Sequence, residues 1–243
     1  MLSNEEKERY DRQLLIDDLD VKGQEKLKKS KVFIAGAGGL GSPISIYLSA
    51  AGVGTLRIVD QDIISLSNMN RQILYNSMDI GRKKAHAAKE KLKALNPHIN
   101  VEVMSKTITK DNVFDLVDGF DLIMDAMDNF PTRYLLNEAA FTKKIPFIYG
   151  GVYGLEGALT TMIPGKTVCL RCIVNEAPPA STPPVLGSTP GIIGCLQSME
   201  AIKYLSGMGS LLTNRLMIFD GFHMRFREVK LSRDPKCTVC AQN

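Results

Sequence analysis

The stretch "VFIAGAGGLG", residues 32–41, decides how the rest of the chain reads. An apolar, β-prone run feeds directly into Gly36-x-Gly38-x-x-Gly41, with Gly39 inside the same loop. Glycines at this spacing permit a tight turn and let backbone N–H groups approach a phosphate where a helix begins and its dipole favours negative charge. Asp60 closes the next apolar run, "TLRIVD", where a carboxylate can accept hydrogen bonds from ribose hydroxyls. Strand, glycine turn, helix and acid together point to a nucleotide rather than to a turn used only for packing. They do not choose between NAD and ATP, because every adenosine nucleotide presents the same ribose.

Working outward, strand-like runs alternate with helical ones. "KVFIA" (31–35), "TLRIVD" (55–60), "NVEVMS" (100–105), "FDLIMDAMD" (120–128) and "IPFIYGG" (145–151) are predicted strands. Helices are predicted over 42–52, 82–97 and 131–144. In the second of these, Ala85, Ala88, Leu92 and Leu95 share one face and the lysines the other. Repeated β-α-β at these lengths predicts a parallel sheet covered by helices on both faces, with the ligand at the carboxyl edge of the strands. The period is lost near Gly154. There "GALTTMI" (157–163) reads as a solvent-facing strand, and the proline-rich stretch 175–191 reads as irregular. A helix over 192–207 and strands at 215–221 and 224–231 follow. The expected fold is a single doubly wound, Rossmann-like α/β domain over 1–243, its mostly parallel sheet continuing into antiparallel C-terminal strands. Residues 1–30 would supply N-terminal helices, 31–150 the nucleotide-binding core, and 151–243 a C-terminal portion with a crossover loop and a structural zinc site.

The loop "DIISLSNMNRQIL" (62–74) speaks for a triphosphate. Asp62, Ser67, Asn68, Asn70, Arg71 and Gln72 fall where the second strand opens onto the nucleotide edge. A hydride-transfer enzyme has no use for arginine there, whereas a guanidinium binds phosphate oxygens bidentately and stabilises charge that grows on an attacked phosphorus. Lys84, after Gly81, adds a second cation; without that position it would read as one more lysine on a solvated helix face. Asp125 and Asp128 follow a buried strand, and Asp128 is assigned to magnesium, which prefers oxygen ligands shared with a nucleotide. Asp128 or Asn129 also suits the cap of the helix entered through Pro131.

Bulk properties set the limits. The 243 residues are 44% hydrophobic and 23% charged, with a formal net charge of +4. This mild basicity, with sparse aromatics not interleaved among the lysines, argues against a nucleic-acid partner. No apolar run reaches the length of a membrane span, and the charged N-terminal stretch has no apolar signal core, so the expectation is a cytoplasmic protein with no membrane partner. Five cysteines in a reducing compartment point to metal binding or a working thiol. Cys169 and Cys172 form one CxxC pair, Cys237 and Cys240 another, and four thiolates complete a closed tetrahedral zinc shell. Cys195, at the start of "CLQSMEAIKYL", reads as a packing residue, although a helix N-terminus there would lower its pKa.

Together "RYDRQLLI", "AGAGGLGSP", "VDQDIISLSNMNRQ", "MDNFPTR" and the paired CxxC motifs resemble the ThiF/MoeB/HesA family, relatives of ubiquitin-activating enzymes, over nearly the whole chain. The resemblance implies ATP-dependent adenylation of the C-terminal glycine carboxylate of a ubiquitin-like sulfur-carrier protein ending in Gly-Gly. It implies an ATP site of Gly39, Asp60, Asn68, Arg71, Lys84 and Asp128, and a homodimer in which Arg12 reaches the neighbouring subunit's site. Some members carry a cysteine in the crossover loop for a covalent carrier adduct; here that loop contains none. Adenylation of a tRNA-bound carboxylate, an NAD-dependent oxidoreductase and a nucleotide-binding scaffold without turnover are the alternative readings.

Overall fold

β1 (Lys31–Ala35) is buried from Val32 to Ala35, so both of its faces lie inside the molecule. Its pleat divides the core in two. Val32 and Ile34 join one hydrophobic cluster, Phe33 and Ala35 the other, as alternation across a strand requires. The strand lies within an eight-stranded sheet in a computed structural model that describes residues 1–179 and 182–241. β2 (Thr55–Val59) and β4 (Leu122–Asp125) pair parallel to it on either side. β3 (Asn100–Met104) and β5 (Phe147–Tyr153) extend the parallel set. β6 (Glu156–Met162), β7 (Arg215–Asp220) and β8 (Arg225–Lys230) then run antiparallel, giving the order β3-β2-β1-β4-β5-β6-β7-β8.

α1 (Asn4–Arg9), α2 (Asp11–Leu14) and α3 (Asp20–Lys29) precede β1. α4 (Gly41–Ala50), α5 (Lys84–Leu95) and the long α9 (Ser188–Ser206) contribute Ile44, Leu48, Leu92, Ile193 and Ala201 to the cluster beneath Val32 and Ile34. α6 (Val113–Val117), α7 (Phe130–Lys143) and α8 (Leu170–Ile173) cover the opposite face through Val113, Leu136, Phe141 and Leu170. The strand order reverses between β1 and β4, so the loops after β1, β2 and β4 converge on one crevice.

Two expectations are corrected. The strand at 157–163 does not face solvent: β6 is flanked by β5 and β7, and Leu159 to Met162 are buried. Regular structure also begins earlier than the prolines suggested, because α9 starts at Ser188 with Pro190 in its first turn, where a missing N–H leaves no helical bond unmade. Among the described residues no helix is long and apolar enough to cross a membrane.

Candidate active site

The glycine loop is shaped by close backbone approach. Gly36 has φ +97°, and a Cβ there would stand 2.7 Å from the Ala126 carbonyl oxygen. A Cβ on Gly41 would fall 2.1 Å from the Gly36 oxygen, so that glycine closes the turn onto itself. Asp60 secures the loop from the next strand. Its Oδ2 accepts from the Ala37 N–H at 2.8 Å and its Oδ1 from the Asp62 N–H at 2.8 Å. Burial pushes the Asp60 carboxyl above the ordinary aspartate range, opposed by Lys84 and by these two N–H donors.

Lys84 reaches the site through a turn at Gly81, where φ is +89°. That turn folds 81–84 back along 62–64. Ile64 N–H donates to the Arg82 carbonyl at 2.9 Å and Lys84 N–H to the Asp62 carbonyl at 3.0 Å. Lys84 is therefore buried, its Nζ 2.8 Å from Asp62 Oδ2, rather than displayed on the solvated face of α5. Arg71 leans on the glycine loop, its Cγ 3.6 Å from where a Gly39 Cβ would be. One guanidinium nitrogen donates to the Ser67 carbonyl and to Asn70 Oδ1, each at 2.9 Å.

The loop after β4 separates its two aspartates. Asp125 is fully buried and meets Arg133 of α7, Nε to Oδ2 at 3.1 Å, so it is spent on an ion pair. Asn129 is the cap of α7, its Oδ1 accepting from the Thr132 N–H at 2.9 Å. Asp128 is left exposed; its Oδ1 accepts from the Asn129 amide at 3.2 Å, it lies within the field of Arg133, and it is in no ion pair among the described residues.

These loops enclose a cavity of about 1120 Å³. Gly36, Gly38, Gly39, Asp60, Asp62, Arg71, Gln72, Lys84, Asp128 and Asn129 all line it. Gly41, Ser67, Asn68 and Asn70 are not on the wall. Asn68 Oδ1 accepts from the Ser65 N–H at 3.1 Å and shapes the turn, while Ser67 and Asn70 hold Arg71. Arg12 is elsewhere, its side chain 91% exposed and 3.8 Å from Asp11. Sequence reasoning missed two supports. Tyr75 is buried and donates to the Ala37 carbonyl at 2.9 Å, and Arg133 lies within the quoted motif "MDNFPTR" with no role assigned to it. The cavity continues past the nucleotide edge to Glu156, Ala158, Ile218 and Arg227, beneath Pro178, Pro179 and Pro183 of the crossover loop.

The four CxxC thiols form one group, all Sγ atoms within 4.8 Å of one another. Cys169 and Cys237 are 3.5 Å apart, Cys172 and Cys240 3.4 Å. Tetrahedral zinc with Zn–S near ~2.3 Å needs sulfurs at comparable separations, so the set fits such an ion. Cys195 is corrected: it lies in the middle of α9 rather than at a helix start, and burial raises its thiol pKa, with only Tyr47 opposing.

Residues 10–239 match the ThiF family. The chain is 41% identical to the SAMP-activating enzyme E1 of Haloferax volcanii, covering 97% of this chain and 89% of that one. It is 38% identical to the sulfur carrier protein adenylyltransferase of Thermus thermophilus, covering 98% and 92%. A crystal structure of E. coli MccB with MccA-N7isoASN shares the fold, with TM-score 0.89 and 24% identity over 96% of this chain and 74% of that one. The two relatives named as an activating enzyme and an adenylyltransferase make the chain an adenylyltransferase of the E1-like kind. The chain belongs to the ThiF family.

Proposed function

We propose that this protein uses ATP to adenylate the C-terminal glycine carboxylate of a small ubiquitin-like sulfur-carrier protein, releasing pyrophosphate. The observation that carries the reading is one cavity lined by the glycine loop, Arg71, Lys84, Asp60 and Asp128. The relatives named as a SAMP-activating enzyme and a sulfur carrier protein adenylyltransferase support the choice of carrier.

The chemistry suits this inventory. A C-terminal carboxylate, with unperturbed pKa near ~3.5, is already ionised at neutral pH, so no general base is needed. In keeping with that, no histidine lines the cavity among the described residues. Catalysis is then positioning and charge neutralisation. Gly38 and Gly39 would present backbone to the phosphates, Asp60 would take the ribose hydroxyls, and Arg71 and Lys84 would stabilise charge on the attacked phosphorus and the departing pyrophosphate. Asp128 offers an oxygen donor that is in no ion pair among the described residues, on the wall of the same cavity, which fits magnesium. The ion would neutralise phosphate charge. The arm of the cavity beneath the prolines and above β6 would take the carrier's Gly-Gly tail, narrow because it lacks side chains.

Arg12, too exposed to serve its own cavity, would complete the site of a second copy. Exposed apolar side chains nearby in sequence or beside the cavity, Leu15, Leu66 and Ile73, suit a homodimer contact. Cys169, Cys172, Cys237 and Cys240 would hold zinc in a structural role, within a cytoplasmic enzyme. The reading is tested by incubating the protein with ATP, magnesium, labelled pyrophosphate and carriers ending in Gly-Gly. Exchange into ATP that depends on the carrier is expected. No exchange with any carrier, beside tight NAD binding, would overturn it in favour of an oxidoreductase.

A further inference from the structure

A buried charged pair stands at the wall of the site, with Arg133 lining the cavity and Asp125 behind it. Asp125 is fully buried and Arg133 is only 6% exposed. Between them they grip a single residue. The Met127 N–H donates to Asp125 Oδ1 at 3.0 Å, and the Met127 carbonyl accepts from Arg133 Nη2 at 2.6 Å. The same nitrogen donates to the Gly150 carbonyl of β5 at 2.9 Å, which anchors the grip to the sheet. The ring centroids of Phe130 and Tyr149 lie 5.1 and 5.3 Å from the guanidinium carbon and pack against it. On the far side, Asn129 is fixed by its bond to the Thr132 N–H. The backbone is thus held immediately before and after Asp128, while the Asp128 carboxylate lines the cavity with no ion pair among the described residues.

Fastening a helix to a strand does not call for this arrangement. Two charges taken out of water stabilise a fold less than apolar residues of similar volume do. What the pair adds is a donor and an acceptor that fix the two peptide planes flanking Met127, the second of which leads into Asp128. We propose that Asp125 and Arg133 are positioning residues that set the β4–α7 loop so that the Asp128 carboxylate meets the divalent cation of a bound nucleotide. The proposal rests on the reading of the cavity as an ATP site.

Calorimetry of ATP binding with magnesium, and with chelator in its place, isolates the metal contribution. The proteins compared are the wild type, Arg133→Lys and the charge-neutral double variant Asp125→Asn/Arg133→Gln. Lysine keeps the charge but cannot serve Asp125, Met127 and Gly150 in fork geometry. The expected result is magnesium-free ATP affinity within about twofold of wild type, with the gain in affinity from magnesium cut by about tenfold or more, the usual scale for losing a partner that orients a metal ligand. Raising magnesium should restore binding. A pair that only stabilises the fold would lower the melting temperature and leave the magnesium gain intact, which overturns the proposal. Failure of both variants to fold also overturns it, in favour of a purely structural pair. The two readings fail separately. A wild type that binds ATP with a magnesium gain but never exchanges pyrophosphate sinks the adenylation reading alone, and the variants still decide the pair. A wild type without ATP binding or without a magnesium gain sinks the positioning role.

Discussion

The carboxyl edge of the parallel strands and the cysteine cluster are secured by opposite means. At the carboxyl edge the loops are shaped by backbone bonds, among them Gly36 N–H to the Val59 carbonyl and Lys84 N–H to the Asp62 carbonyl, and by caps such as Asn129. The guanidinium of Arg71 and the carboxylate of Asp128 sit on that frame without holding it together. The cysteine cluster packs instead with Phe147 and Met162, at the start of β5 and the end of β6. It receives a tail that follows β8, a strand exposed along its whole length. Among the described residues of that tail, Cys237 and Cys240 are the buried ones. One region keeps its proposed chemistry separate from its scaffold; in the other the thiols proposed to hold zinc are themselves part of the scaffold. Substitutions in the two regions should therefore move different observables.

The largest effect is expected at Arg71. Arg71→Ala should cut carrier-dependent pyrophosphate exchange by about 10²–10³, the scale of losing one group that stabilises transition-state charge. Its melting temperature should stay within about 2 °C of wild type, because a half-exposed side chain in a backbone-held loop contributes little to folding. Near-normal exchange would break the comparison by moving the phosphate site away from this loop.

Cys237→Ser should do the reverse. Losing one of four ligands is expected to release zinc, measurable by metal analysis, and to lower stability by about 4 kcal/mol, or roughly 10 °C. Limited proteolysis should then cut after β8 while exchange per folded molecule persists. A folded, chelator-resistant protein without metal would show that burial alone secures the tail.

How much of this was legible follows the same division. Gly36, Gly38, Asp60 and the alternation of strand and helix were readable because local spacing fixes them: one turn, one helix start, one acid at a strand end. Lys84 was readable only through Gly81, since its burial depends on the 62–64 and 81–84 segments pairing back to back. β6 was misread because its burial comes from β7, some fifty residues away in sequence, and from α9 packed over it. Cys195 was misplaced because prolines were taken to delay α9, though a first-turn proline costs a helix nothing. Arg133 gained its role only from the convergence of Asp125, Met127 and Gly150, which no spacing in the sequence announces.

The smallest expected effect sharpens the comparison at Asp60, a carboxylate that holds the glycine loop and is proposed to take the ribose as well. Burial holds its pKa above the ordinary aspartate value in the folded state, against the opposing pull of Lys84. Between the unfolded and the folded pKa the native state carries the extra proton, so the contribution of Asp60 to stability falls as pH rises through that window and is flat above it. Nucleotide binding runs the other way, because a protonated carboxyl loses acceptor capacity towards ribose hydroxyls. ATP affinity should therefore decline on acidification at a pH above the range where free aspartate titrates, without a matching loss of melting temperature. Asp60→Asn should weaken ATP binding by about tenfold and cost about 1 kcal/mol, since an amide can satisfy one of the Ala37 and Asp62 N–H groups but presents its own donors to the other. It should also remove the acid limb from the binding profile. If calorimetry finds the same acid limb in that variant, the ribose contact lies with another residue and Asp60 belongs to the scaffold alone.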